Sequence, residues 1–227
     1  MTKFRTEITK GDEIRYVSHL DYASLMERAI RRAKLPVAYS EGFNPHMKIS
    51  FASALAVGVT SAAEYMDIEL KEPVSEAVFC DRLRQALPNG VKLLRAKMFE
   101  GKQKAMMAIV DLAEYTVQIP LTGDQAAICE AVQAYNLAPT IMYTRRTPKS
   151  CKEVEIKQYM QESVQVAFVN EMIVFTMKTK ITPAGSVKPG EILQVFKTQF
   201  SMPILEDEAL IHRTGLYAGG QTPIDLV

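Results

Sequence analysis

The chain has 227 residues, 48% of them apolar and 23% charged, with a formal net charge of +1. A chain of that length buries about 70–75% of its unfolded surface as one large or two small domains, so it needs no disulfide or metal staples. Near-neutral charge excludes a globally polycationic nucleic-acid binder and leaves only a local basic patch. Its three cysteines, Cys80, Cys129 and Cys151, are odd in number and far apart. They exclude a disulfide framework, a zinc ribbon and an iron–sulfur cluster on a tight Cys run. Reduced cysteines point to the cytoplasm. The start MTKFRTEITK lacks an apolar leader core, and no apolar run approaches about 18 residues, so neither a signal peptide nor a membrane span is expected.

Lys3 to Lys10 alternates, with Phe4, Thr6 and Ile8 on one side and Arg5, Glu7 and Thr9 on the other. This predicts a strand with one buried face. Ser18 followed by Asp21 is a capping-box variant that opens a helix. Tyr22, Leu25, Met26, Ala29, Ile30 and Ala33 form its apolar stripe, and Ser24, Glu27, Arg28, Arg31 and Arg32 its polar face. Pro36 ends it. Ser40-Glu41-Gly42-Phe43-Asn44-Pro45 carries strong loop chemistry. Strands follow at 46–53 and 64–70, then a helix opened by Ser75 and stopped by Pro88-Asn89-Gly90, then a strand at 91–99. The order is βαββαβ, the ferredoxin-like pattern, with two helices on one face of an antiparallel sheet. The other face is expected to stay free for a partner domain or ligand.

After a polar linker at 100–105, the pattern repeats. A strand at 114–121 precedes a helix at 124–136, strands at 140–146 and 152–157 around Thr147-Pro148-Lys149-Ser150, and a hairpin of 164–169 with 172–180. A helix begins at Pro189, and a final strand spans 208–217. The expected fold is therefore α+β: two tandem ferredoxin-like (βαββαβ) units with antiparallel sheets. Residues 1–100 make the first, 106–218 the second with an extra strand pair, and 219–227 a loose tail.

Three sets of residues are able to carry chemistry. His19 at a helix N-terminus is biased toward the neutral imidazole and can serve as base or phosphate donor, or simply complete the cap. His46 and Lys48 share one side of a strand and could act as base and charge stabiliser in phosphodiester cleavage, though many solvated strands look alike. Arg28, Arg31 and Arg32 could hold phosphates, or form a solvated face with Glu27–Arg31 pairing. Arg145 with Arg146, and His212 with Arg213, are further basic sites. Tyr16, Tyr39 and Phe43 could stack on bases or belong to the core. No Walker loop, dinucleotide Gly-rich turn, HExxH or Gly-x-Ser-x-Gly elbow is present.

The run Ser18-His19-Leu20-Asp21, Glu27-Arg28-Ala29, Arg31-Arg32, Leu35-Pro36, Tyr39-Ser40 and Gly42-Phe43-Asn44-Pro45-His46 resembles the radical-SAM-associated family of uncharacterised bacterial proteins. Lys34 departs from it, standing where Gly is expected after the helix. The resemblance implies a radical-SAM iron–sulfur protein as partner, with no cofactor in this chain. A looser, fold-level likeness is to the tandem ferredoxin-like endonucleases that process CRISPR repeat RNA. The leading expectation is a non-catalytic RNA-binding or substrate-presenting accessory protein. Ser18, His19, Arg28, Arg31, Arg32, Tyr39, Gly42, Phe43, Asn44, His46, Lys48, Arg145, Arg146 and Arg213 would face its ligand. The alternatives are a metal-independent ribonuclease using His19 or His46 with Lys48, and a ligand-free protein scaffold.

Overall fold

The structure is a computed structural model that describes residues 2–101, 103–147 and 150–227, with the side chains of Thr147 and Ser150 outside that description. The turn expected at Pro148-Lys149 therefore lies outside the described residues. The fold is α+β, as the sequence predicts. The chain forms two compact units, Met1–Val110 with Gly215–Val227, and Asp111–Thr214. The linker and residues 215–227 thus go with the first unit, where the sequence suggested a separate linker at 100–105, a second unit running to 218 and a tail at 219–227.

The first unit runs β1 (Lys3–Lys10), α1 (His19–Arg32), β2 (Ile49–Phe51), β3 (Val59–Glu69), α2 (Glu76–Ala86), β4 (Leu93–Phe99) and a one-turn helix α3 (Met106–Ile109). β1 pairs antiparallel with both β3 and β4, and β2 pairs antiparallel with β3, giving the order β4–β1–β3–β2. That is the ferredoxin-like order. Phe4, Ile8, Met66 and Ile68 on the sheet meet Tyr22, Met26 and Ile30 of α1 and Phe79 and Leu83 of α2 in one apolar core. Phe4 stacks on Phe79 with ring centroids 3.9 Å apart.

α1 starts where the cap was expected. Ser18 Oγ accepts from Asp21 N at 3.2 Å, but the reciprocal half of the box is replaced by a bond from Ser18 Oγ to Asp21 Oδ2 at 2.7 Å. Its C-terminus is a Schellman motif: Leu35 N donates to Ile30 O and Lys34 N to Arg31 O. Lys34 has φ +52°, so the position where Gly is expected does adopt the left-handed conformation, with a lysine in it.

The open sheet face is not free. Arg5 and, opposite Glu7, Tyr65 are each 1% exposed, so β1 is buried on both sides. Residues 219–227 are not a loose tail: Pro223 O accepts from Arg5 Nη1 at 2.9 Å, Asp225 pairs with Arg95 at 3.0 Å, and Ile224 is fully buried. The physical reason is charge pairing. Arg5 makes a fork to both Asp67 oxygens at 2.8 Å, and Glu7 bonds Arg95 and Tyr65 OH, so these polar residues are satisfied under a cover.

The second unit runs β5 (Leu112–Pro120), α4 (Gln125–Leu137), β6 (Met142–Thr147), β7 (Ser150–Glu155), β8 (Gln165–Val169), β9 (Met172–Thr182), a two-residue β10 (Gly185–Ser186), α5 (Pro189–Gln199) and β11 (Leu210–Tyr217), whose end passes into the first unit. β9 pairs antiparallel with β5, β8 and β10. The extra strand pair of the sequence is β6–β7, a separate ribbon. Among the described residues no helix is long and apolar enough to cross a membrane.

Candidate functional site

The later part of the sequence motif, from Arg31 to His46, folds into one end of the first unit. α1 returns antiparallel to β1, and β2 runs parallel to β1, so the C-terminus of α1 and the loop before β2 share an end of the unit. That loop is closed at its base. Tyr39 bridges Met47, Ser40 N donates to His46 O at 2.8 Å, and His46 N donates to Ser40 Oγ at 3.0 Å. Between these bonds residues 41–46 are all exposed, and Phe43 is fully so. Gly42 has φ +120° with no atom within 4 Å of where a Cβ would sit. The turn needs glycine for its backbone angle, not for lack of room. The loop is thus a pinned base presenting Phe43, Asn44 and the His46 ring to solvent, beside the single carboxylate of Glu41.

The other predicted residues divide. Arg28, Arg31 and Arg32 are exposed on α1; Arg31 pairs with Glu27 at 3.6 Å, and Arg32 Nη2 donates to Ala86 O at 2.8 Å. Tyr39 is half-buried against the core, with Lys71 Nζ 5.3 Å from its ring centre, so it is no free stacking platform. Tyr16 is exposed, but it precedes α1 and lies at the opposite end from Phe43. Ser18 is used by its cap. His19 sets its ring edge-on to Phe51 at 5.3 Å, at the far end of β2. His46 lies five residues earlier along extended chain, about 16 Å away. The two imidazoles therefore cannot serve one phosphodiester together.

Lys48 does not stand ready beside His46. Its Nζ bonds Glu69 Oε1 at 3.0 Å, and Lys3 lies 3.4 Å from the other oxygen. The hydrogen bond from Lys48, helped by Lys3 and opposed by partial burial, holds the Glu69 carboxyl below its ordinary 4.5. These residues line a shallow groove of about 320 Å³ with Ser50, Asp67, Phe99 and Lys104, in which three lysines face two carboxylates.

In the second unit Arg145 is a structural clamp. Its Nε and Nη2 fork onto Glu191 at 2.6 and 2.7 Å, and Nη2 also reaches Ser186 O at 2.8 Å. The Glu191 hydrogen bond raises its pKa. With Tyr143 Oη donating to Gln194 at 2.5 Å, this ties the β6–β7 ribbon to α5. Arg146 is exposed on the ribbon, whereas Arg213 is 1% exposed and therefore within the protein. Among the described residues no three His, Cys, Asp or Glu side chains gather as a metal-binding group.

Arg82 has no place among the residues the sequence points to. Arg82 on α2 joins Arg32 and Lys34 around a pocket of about 430 Å³, with Ala33, Gln85 and Ala86 completing its walls. Arg82 has no local signal; only the packing of α1 against α2 brings it to Arg32 and Lys34.

Comparisons with known proteins agree with the fold and stop there. Among solved structures the chain is similar to one in "Crystal Structure of a Cbf5-Nop10-Gar1 Complex", with a TM-score of 0.51, 10% identity, and 93% of this chain covered. It spans about half of that chain, 49% of its length, and at this identity the likeness shows the fold alone. An unknown protein from Galdieria sulphuraria shares 15% identity over 96% of this chain and 99% of its own, with a TM-score of 0.27. None of the curated proteins matches. The family described as "Uncharacterized protein conserved in bacteria (DUF2344)" matches residues 3–189, and over that span, most of its length, the chain belongs to this family.

Proposed function

We propose that the chain is a non-catalytic RNA-binding protein that presents its ligand to a radical-SAM iron–sulfur partner. The observation that carries the binding half is Phe43, a wholly exposed aromatic on a loop closed at its base by Ser40 and His46. A large apolar ring held in water gains nothing from folding, and stacking on an unpaired base recovers that lost burial. The cationic residues Arg31 and Arg32 on the same end of the unit supply attraction for the backbone. The separation of His19 from His46 and the hold of Glu69 on Lys48 favour binding over cleavage. The partner rests on the resemblance of the Ser18-to-His46 motif to radical-SAM-associated proteins.

The test is a titration of labelled single-stranded RNA with the full chain and with Phe43→Ala, at about 50 and 200 mM salt. Removing one base–aromatic stack costs about 1–3 kcal/mol, so Phe43→Ala should bind roughly 5- to 150-fold more weakly at unchanged thermal stability. No binding by the wild type at low salt, or equal binding by the variant, overturns the proposal. Co-purification of a radical-SAM protein with the tagged chain from a native cell tests the partner.

A further inference from the structure

The pocket between the C-terminal ends of α1 and α2 is lined by three cations, Arg32, Lys34 and Arg82, with Gln85 and no carboxylate. Cations at helix C-termini have an ordinary explanation, since each terminus carries about −0.5 charge. Two termini therefore account for about one positive charge, and three are present, which leaves a surplus of about two. The two guanidiniums are braced across the helices. Arg32 of α1 donates to Ala86 O at the end of α2, and Arg82 of α2 donates from Nη1 to Lys34 O just past the end of α1 at 3.4 Å. Each uses one of five N–H donors in this way, which fixes its plane and leaves the rest for a ligand.

Lys34 adds a separate observation. It occupies the left-handed position of the Schellman motif, φ +52°, where glycine is favoured, and so puts a lysine on the pocket wall against its own backbone preference. It also stands six residues before Ser40, so the pocket lies within about 20 Å of chain from the base of the Phe43 loop. We infer that this pocket holds a phosphate group of the bound polynucleotide, an inference that rests on the RNA-binding reading above. Arg32 and Arg82 supply paired N–H donors to its oxygens, Lys34 a point charge, and the ring of Phe43 engages a base further along the strand.

The test uses the full chain as wild type, Lys34→Gly and the double variant Lys34→Gly/Arg82→Gln. Lys34→Gly removes the ammonium while relieving the left-handed strain, so its thermal midpoint should hold or rise. A residue kept only for stability would not behave in this way. Single-stranded RNA affinity should fall roughly tenfold or more in the double variant, and the slope of log K against log salt should become shallower by about 1.4, or 0.7 per lost cation. If the wild type binds RNA and Phe43→Ala weakens it, but the double variant matches the wild type in affinity and slope, the pocket inference is overturned and the Phe43 reading stands. If the wild type binds no RNA, the RNA reading fails. A titration with inorganic pyrophosphate then decides the pocket: binding lost in the double variant assigns it to a free phosphate ligand, and no binding to the wild type overturns it.

Discussion

Arg5→Met tests what holds the first unit together. The guanidinium of Arg5 is 1% exposed and makes a two-pronged bond to Asp67 at 2.8 Å and a bond to Pro223 O at 2.9 Å, with the Phe99 ring 5.3 Å away. Each hydrogen bond to a charged group is worth about 1.5–3 kcal/mol when made, and its loss leaves Asp67 and the Pro223 carbonyl short of a partner. Two effects reduce the sum. The Asp67 side chain is 17% exposed and can recruit water, and a buried methionine replaces most of the stem packing. A net loss of about 3 kcal/mol follows, or a fall in thermal midpoint of roughly 6–12 °C. Because the Pro223 bond is one of the ties on the C-terminal segment, the loss should be concentrated there. Hydrogen exchange should show residues 219–227 exchanging early, well before β1 and β3 open. A loss under about 0.5 kcal/mol with residues 219–227 still protected would refute the assignment of Arg5 as the tie.

Tyr135→Phe should stabilise the protein. Among the described residues the buried Tyr135 hydroxyl has no hydrogen-bond partner, while its ring keeps Phe196 at 4.7 Å, Phe200 at 5.7 Å and Lys157 at 4.8 Å. Removing it should gain about 1 kcal/mol in urea unfolding, and a loss would mean the hydroxyl is satisfied after all. Acid should destabilise in a defined window. The hydrogen bond from Lys48 lowers the Glu69 pKa, and that from Lys197 lowers the Glu206 pKa, both from 4.5. Depressed carboxyl pKa values contribute stability that is complete above about pH 4.5 and is lost as pH falls through the folded values. The urea midpoint should therefore decline below that pH, less steeply in Lys48→Met; a midpoint constant down to about pH 3 contradicts this. Arg145→Met should cost about 1–2 kcal/mol by freeing the β6–β7 ribbon from Glu191 while leaving RNA affinity unchanged. Weaker RNA binding at full stability would make Arg145 a ligand residue.

The elements were legible where a local rule decides them. Ser18 and Ser75 cap α1 and α2 as their sequence positions suggest, and the alternation in 172–180 gives a strand at Met172–Thr182. Lys34 stands where glycine is expected, and its positive φ gives the physical reason for that expectation. What could not be read was long-range. The alternation at Arg5 and Glu7 is that of a solvated face, and only Pro223 and Asp67, 218 and 62 residues away, turn it into a buried one. The same holds for the site. Gly42 and Pro45 marked a loop, and nothing local said that Phe43 would be exposed while Tyr39 would not. Arg82 has no motif at all; it counts only because α1 and α2 end together.

The central claim is that RNA is held at the Phe43 end of the first unit. Ultraviolet cross-linking of the full chain to single-stranded RNA, followed by mass spectrometry of the tryptic peptides, reads this directly. The account predicts nucleotide adducts on the peptide Leu35–Lys48, lost in Phe43→Ala. Adducts confined to residues 111–214, or adducts that survive in Phe43→Ala, would contradict it.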